Sequence, residues 1–179
     1  MLDRPLGPDP YDLLPALPGF EVTSEDLTDG GTLPLDHVFS DAGGGNVSPH
    51  LAWSGFPEDT AGFAVTCFDP DAPTASGFWH WSVVGLGSWV TELPRGAGAG
   101  GEVAVAGGGF QVRNDFGRRG YDGAAPPNGD RPHRYVFAVH ALGVSDLGLS
   151  PEATPAYVGF NLTLNALARA RITALYQVE

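Results

Sequence analysis

A chain of 179 residues with 42% hydrophobic and 17% charged side chains can bury one substantial core and lacks the composition of a disordered protein. Its formal net charge is −12, and its nine basic residues are all arginine, which excludes lysine-dependent chemistry (Walker-type phosphate loops, protein kinases, Schiff-base and pyridoxal enzymes) and argues against nucleic acid and anionic membranes as partners. The single cysteine, Cys67, excludes an intramolecular disulfide.

Residues 1–19 hold five prolines (Pro5, Pro8, Pro10, Pro15 and Pro18) and few strand formers. They predict an extended arm on the surface of a single domain covering residues 20–179. Neither a signal peptide nor a segment long enough to span a bilayer is read, so the expected location is the cytoplasm, without stable membrane insertion. Phe20–Ser24 reads as a first strand and Leu35–Ser40 as a second, ended by Gly43-Gly44-Gly45. Leu51-Ala52-Trp53 continues as extended chain. Phe63–Phe68 and Trp81–Leu86 are near-continuous apolar runs, as expected of central strands covered on both faces, with Cys67 as a small core residue. Residues 94–109 form a long Gly/Ala-rich connection. Arg134–Leu142 is the strongest strand pattern. Ser150 as N-cap, Pro151 at the first helical position and Glu152 predict a helix running to about Asn165 or Leu167. Ala170, Ile172, Ala174 and Tyr176 then alternate with polar residues as a final strand. With 26 glycines and 16 prolines spread among short apolar runs, the plan is mainly β with one C-terminal helix.

The densest chemistry lies in Asp69-Pro70-Asp71-Ala72-Pro73 and Gly77-Phe78-Trp79-His80-Trp81. Two carboxylates, an imidazole and two indoles sit on a backbone stiffened by prolines, which suggests a preformed pocket. Taken singly, His80 reads as a core histidine satisfied by backbone, and the two indoles as packing on opposite faces of a strand. Asp69, Asp71, His80 and His133 are metal-ligand types without zinc-motif spacing, and no serine occupies a G-x-S-x-G elbow; a hydrolase or metal enzyme is the weaker reading. Gly96–Gly101 contains G-x-G-x-x-G but follows Pro94-Arg95 and opens no helix, so a nucleotide fold is dismissed. Asp115-Phe116-Gly117 and His133-Arg134-Tyr135 mimic kinase signatures in the wrong order. Between residues 113 and 134, five arginines face three aspartates, so this window is either a solvated loop or a local anion site. Imidazole, tyrosine hydroxyl, backbone N–H and arginine together would suit a small anion pocket.

Five blocks in order carry a resemblance: Asn46–Trp53, Asp69–Pro73, Trp79-His80-Trp81, Asp115-Phe116-Gly117 with Gly120–Pro127, and His133-Arg134-Tyr135. Across residues 20–178 the chain resembles the phosphatidylethanolamine-binding protein family, in its bacterial Raf-kinase-inhibitor-like branch. The resemblance implies a large central antiparallel-rich sheet packed with a smaller sheet, and one C-terminal helix followed by a final strand. It also implies a pocket for phosphate-like anions. Asp69, His80, Pro126, Pro127, His133 and Tyr135 match the family's pocket residues, and Trp79 and Gly123 would be wall residues. Asp71 is expected to order the turn. The Gly-Ala-Ala-Pro-Pro loop follows the bacterial pattern, so animal-type lipid binding and kinase regulation transfer poorly. The resulting expectation is a non-enzymatic binding protein, without cofactor, that holds a phosphorylated small molecule or group. The alternative is an inhibitor or regulator of a protease or kinase that uses residues 118–134. The bacterial resemblance also suggests a homodimer, which the residues themselves do not show.

Overall fold

The computed structural model describes residues 2–99 and 105–179. Along these residues run strands β1 (Glu21–Thr23), β2 (Leu51–Ser54), β3 (Gly62–Asp69), β4 (Phe78–Gly87), β5 (Glu92–Leu93), β6 (Phe110–Gln111) and β7 (His133–Leu142). Helix α1 (Pro155–Asn165) and strand β8 (Ala166–Tyr176) follow. A three-stranded sheet has the order β1-β2-β5, and a five-stranded sheet the order β6-β4-β3-β7-β8. All named strand pairs are antiparallel.

The apolar runs fill both faces of the large sheet. Phe63, Val65, Cys67, Trp81, Val83 and Phe137 point toward the small sheet and pack with Leu51 and Trp53. Ala64, Val84 and Leu142 point the other way and are covered by Val158 and Leu162 of α1. This two-sided burial is why the central strands read as unbroken apolar runs instead of alternating ones.

Strict alternation would put Trp79 and Trp81 on one face, two residues apart. The register forbids it: Cys67 pairs with Trp81, while Phe68 pairs with Trp79. His80 is the extra residue of a bulge. Trp79 therefore packs on Phe68 on the helix side, and Trp81 packs on Tyr121 in the core between the sheets.

Several boundaries differ from the sequence-based expectation. Leu35–Ser40 is not a strand but part of two 3-10 turns, Leu35–His37 and Ser40–Ala42. His37, Val38 and Phe39 are buried in succession, which a one-sided strand cannot achieve. Gly43, at φ 86°, closes the second turn. The helix starts four residues later than predicted. Thr154 caps it and Pro155 occupies its first turn, so the same Ser/Thr-Pro signature occurs twice and the second copy wins. Ser150 instead closes a turn with Ala153. The last strand begins at Ala166, directly after the helix. Gly100 and Gly101 of the glycine run, and part of the 94–109 connection, lie outside the described residues.

Residues 2–19 run along the sheet that carries Thr66 and Arg169. This arm carries a 3-10 turn at Pro10–Leu13, and two groups of contacts anchor it. Arg4 reaches Asp130, the Asp71 carbonyl and His133. Tyr11 meets Thr66, and the Pro18 carbonyl accepts the Arg169 amide. No helix among the described residues is long and apolar enough to cross a membrane.

Candidate functional site

At one end of the large sheet, β3 delivers Asp69, β4 delivers His80, and β7 delivers His133 and Tyr135. The turn after β3 and the loop before β7 close a cavity of about 240 Å³ over them. Its walls include Pro73, Phe78, Phe116, Pro126 and Pro127. The β4 bulge is what turns the His80 ring toward Tyr135, with ring centroids 5.2 Å apart.

His80 is buried, and its Nδ1 lies 2.8 Å from the Asp122 carbonyl. A carbonyl only accepts, so Nδ1 carries the proton. Nε2 makes no side-chain hydrogen bond among the described residues and, with Nδ1 protonated, carries the lone pair. Burial holds the His80 pKa below the usual histidine value, against the pull of Asp69 and the Asp122 carbonyl. Tyr135 is 1% exposed, and its hydroxyl makes no well-formed hydrogen bond among the described residues, although the Ala125 amide acts on it. Burial, reinforced by Asp69, drives its pKa far upward, so the hydroxyl keeps its proton.

His133 is differently placed. Its Nδ1 lies 2.8 Å from Asp69 Oδ2, and its Nε2 lies 3.1 Å from Asp130 Oδ2 and 3.2 Å from Arg4 Nη2. Burial opposes its charged form, but the bonds and charges of Asp69 and Asp130 outweigh burial and raise its pKa. Both ring nitrogens are engaged, so His133 forms part of the charged floor and is not a free donor. Asp69 orients it, and also accepts the Asp71 amide at 2.7 Å.

Asp71 does not line the cavity. Its carboxylate accepts from the Arg134 amide (3.0 Å), Nε (2.7 Å) and Nη2 (2.9 Å). It ties the turn after β3 to the start of β7. Trp79 and Gly123 are not cavity walls. The Trp79 indole faces α1, because the bulge places it on the other side of the sheet. Gly123 fits where its backbone crosses His37–Phe39; a Cβ there would come within 2.3 Å of the His37 carbonyl oxygen. Its amide donates to Asn46 Oδ1 at 2.8 Å and is unavailable to a ligand.

The arginine-rich window holds no free anion site among the described residues: Arg113 and Arg118 stand exposed to solvent, and its arginines are already paired or capping. Arg118 pairs with Asp122, and Arg134 with Asp71. Arg113 and Arg119 both reach Glu152, while Arg131 caps the Arg4 and Pro5 carbonyls. Sequence reasoning missed Phe78, Phe116, Thr74 and Ala125 as lining residues, although Phe78, Phe116 and Ala125 stood within quoted blocks. It also missed Asn46 and Asn114, whose side chains hold the Asp122 carboxylate. Asn46 stands at the head of a motif block and Asn114 just before another, but nothing local marks their shared hold on Asp122. Among the described residues, no group of three or more His, Cys, Asp or Glu side chains is arranged to hold a metal.

Comparisons with known proteins bear on the family and the fold. The family model described as phosphatidylethanolamine-binding protein matches residues 23–177. The UPF0098 protein YbhB of Escherichia coli is 51% identical over 158 residues, covering 87% of this chain and 99% of YbhB. The crystal structure of E. coli YbcL, described as a member of the mammalian PEBP family, superposes with a TM-score of 0.86 at 48% identity. That match covers 89% of this chain and 99% of YbcL. A Chlamydia trachomatis homolog, CT736, superposes with a TM-score of 0.75 at 25% identity, over 90% of this chain and 99% of its own. The fold, the order of the motif blocks and the matched span together show that the chain belongs to the phosphatidylethanolamine-binding protein family.

Proposed function

We propose that this protein is a non-enzymatic binding protein that holds a phosphate-bearing small molecule in the His80–Tyr135 cavity. The observation that carries the reading is that Tyr135, whose buried hydroxyl makes no well-formed hydrogen bond among the described residues, lines the same cavity as His80. A buried hydroxyl left unpaired costs free energy, so a site that retains one suits a ligand that completes it. Tyr135 would donate to a phosphate oxygen. Neutral His80 would accept a P–OH proton at Nε2, or take up a proton and donate. Phe78 and Phe116 frame the mouth and would favour an apolar group beyond the phosphate.

Binding is favoured over catalysis because, among the described residues, no activated nucleophile lines the cavity. The Tyr135 hydroxyl is held protonated, and the Cys67 thiol is buried outside the cavity with its pKa pushed up by burial and then by Asp69. With few polar contacts, affinities of about −4 to −8 kcal/mol, mM to μM, are expected. Calorimetric titration with phosphoethanolamine tests this. Saturable 1:1 heat, lost in His80→Ala/Tyr135→Phe, supports the reading; no heat, or equal heat in the double variant, overturns it.

A further inference from the structure

We propose that the protein carries a second ligand site, on the helix side of the five-stranded sheet, for a small amphipathic carboxylate. The site is a cleft of about 420 Å³ between the arm, the sheet and α1. Leu14, Phe68, Trp79, Phe160 and Leu162 give it apolar walls. Its volume falls in the range of small-molecule pockets.

One charged group stands in this lining, and it is unpaired. Seven of the nine arginines pair with carboxylates, and Arg131 caps carbonyls. Arg169 does neither among the described residues. Its Nε donates to His140 Nδ1 at 3.3 Å, and its guanidinium carbon lies 4.2 Å from the centre of the Tyr11 ring. Asp9, the acid that acts on it through space, is bridged at 2.8 Å to Arg171. In a chain with 21 acidic residues, a partly buried guanidinium without a carboxylate is a vacancy for an anion.

The surroundings cannot neutralise Arg169. Guanidinium only donates, so His140 accepts at Nδ1 and donates from Nε2 to Thr66 Oγ1, 3.2 Å away. Thr66 in turn meets the Tyr11 hydroxyl at 3.2 Å. This neutral chain orders Tyr11 and fixes the guanidinium, leaving its terminal nitrogens without a hydrogen bond among the described residues. A carboxylate would take them in a bidentate pair while its hydrocarbon tail fills the apolar cleft. The arrangement faces away from the His80 cavity and shares no lining residue with it.

The test uses the full chain, decanoate as probe and decan-1-ol as its uncharged control, both by calorimetry. Decanoate should bind 1:1, about tenfold or more tighter than decanol. Arg169→Met should abolish that preference. Gly159→Leu should block both ligands by filling the cleft. A Cβ at Gly159 meets only Trp79, at 3.8 Å, and the exchange removes a helix-interior glycine, so this variant should fold. His80→Ala/Tyr135→Phe should leave decanoate binding unchanged. Equal affinity for acid and alcohol, binding that survives Gly159→Leu, or binding lost with His80 and Tyr135 would each overturn the proposal. So would a dimer that buries Phe160 and excludes decanoate.

Discussion

Tyr135→Phe separates a ligand-directed hydroxyl from a structural one, because the two predict opposite signs for stability. A buried tyrosine hydroxyl bonded within the protein loses about 1 kcal/mol or more when deleted. The Tyr135 hydroxyl has no well-formed hydrogen bond to lose among the described residues. Its removal takes away a desolvated polar group, whose cost the Ala125 amide offsets only in part in the wild type. The expected change is therefore zero to about +1 kcal/mol of stability. For a chain of this length that is at most about +4 °C in Tm. Phosphate affinity should move the other way. A hydrogen bond to a charged oxygen is worth about 1.5–3 kcal/mol, so phosphoethanolamine should bind roughly 10- to 100-fold more weakly. Urea unfolding and calorimetry on the same preparations give both numbers. A fall in stability of about 1 kcal/mol with unchanged phosphate affinity would refute the assignment of this hydroxyl to a ligand.

Phosphate affinity should fall with rising pH, by up to about tenfold per unit between pH 7 and 8, because Nε2 of neutral His80 needs a ligand proton and phosphomonoesters lose theirs near pH ~6. Affinities measured at pH 6, 7 and 8 that rise instead would contradict the Nδ1–H assignment. Asp71→Ala should destabilise the fold by about 2–4 kcal/mol in urea, since it strands a partly buried Arg134 that held three hydrogen bonds to the carboxylate. The Asp71 contribution is present above the ordinary carboxylate value of 3.8 and should disappear as pH falls through the lowered folded value, which Arg134 depresses against the effect of burial. His140 is pushed down to about 3 by burial and then by Arg169, so the folded state refuses a proton that the unfolded chain accepts below 6.5. Stability should therefore drop as pH falls from 6.5 toward 3, and His140→Gln should remove about 1.4 kcal/mol per pH unit of that slope. Parallel pH profiles for wild type and variant would count against it.

The elements that were legible in the sequence are those in which one physical demand dominates. β3 and β7 are buried on both faces, and only long apolar runs satisfy that. Asp69, His80, His133 and Tyr135 were visible as residue types in ordered blocks, and they do converge at one end of the sheet. Their division of labour was not visible. Whether a histidine presents a lone pair or is clamped between carboxylates depends on Asp122, Asp130 and Arg4, which lie 42, 3 and 129 residues away along the chain. The bulge at His80 was equally hidden, since it is a property of the β3–β4 register and no local signal marks it. Leu35–Ser40 failed because β-branched and aromatic content was read as a strand where backbone turns bury three successive side chains.

How a chain of net charge −12 could receive an anion at this end is answered by its ion pairs. Asp71 is matched by Arg134, Asp122 by Arg118, Asp130 by Arg4, and Asp69 by His133 when it is protonated. Four carboxylates are thus balanced by four cations, one of which comes from the arm. His133 completes the balance only below its raised pKa, which lowers anion affinity at high pH in the same sense as the loss of the ligand's own proton. Arg4→Ala should uncover one buried negative charge beside His133 without removing any group that would touch the ligand. At this separation the effect is on the order of 1 kcal/mol, or about fivefold weaker phosphate binding. Arg4→Lys should restore most of it, because the charge and not the fork geometry is what matters here. Added salt should shrink the difference between the alanine and lysine proteins. Identical phosphate affinities for Arg4→Ala and Arg4→Lys at low salt would show that the arm does not contribute to the charge balance of the site.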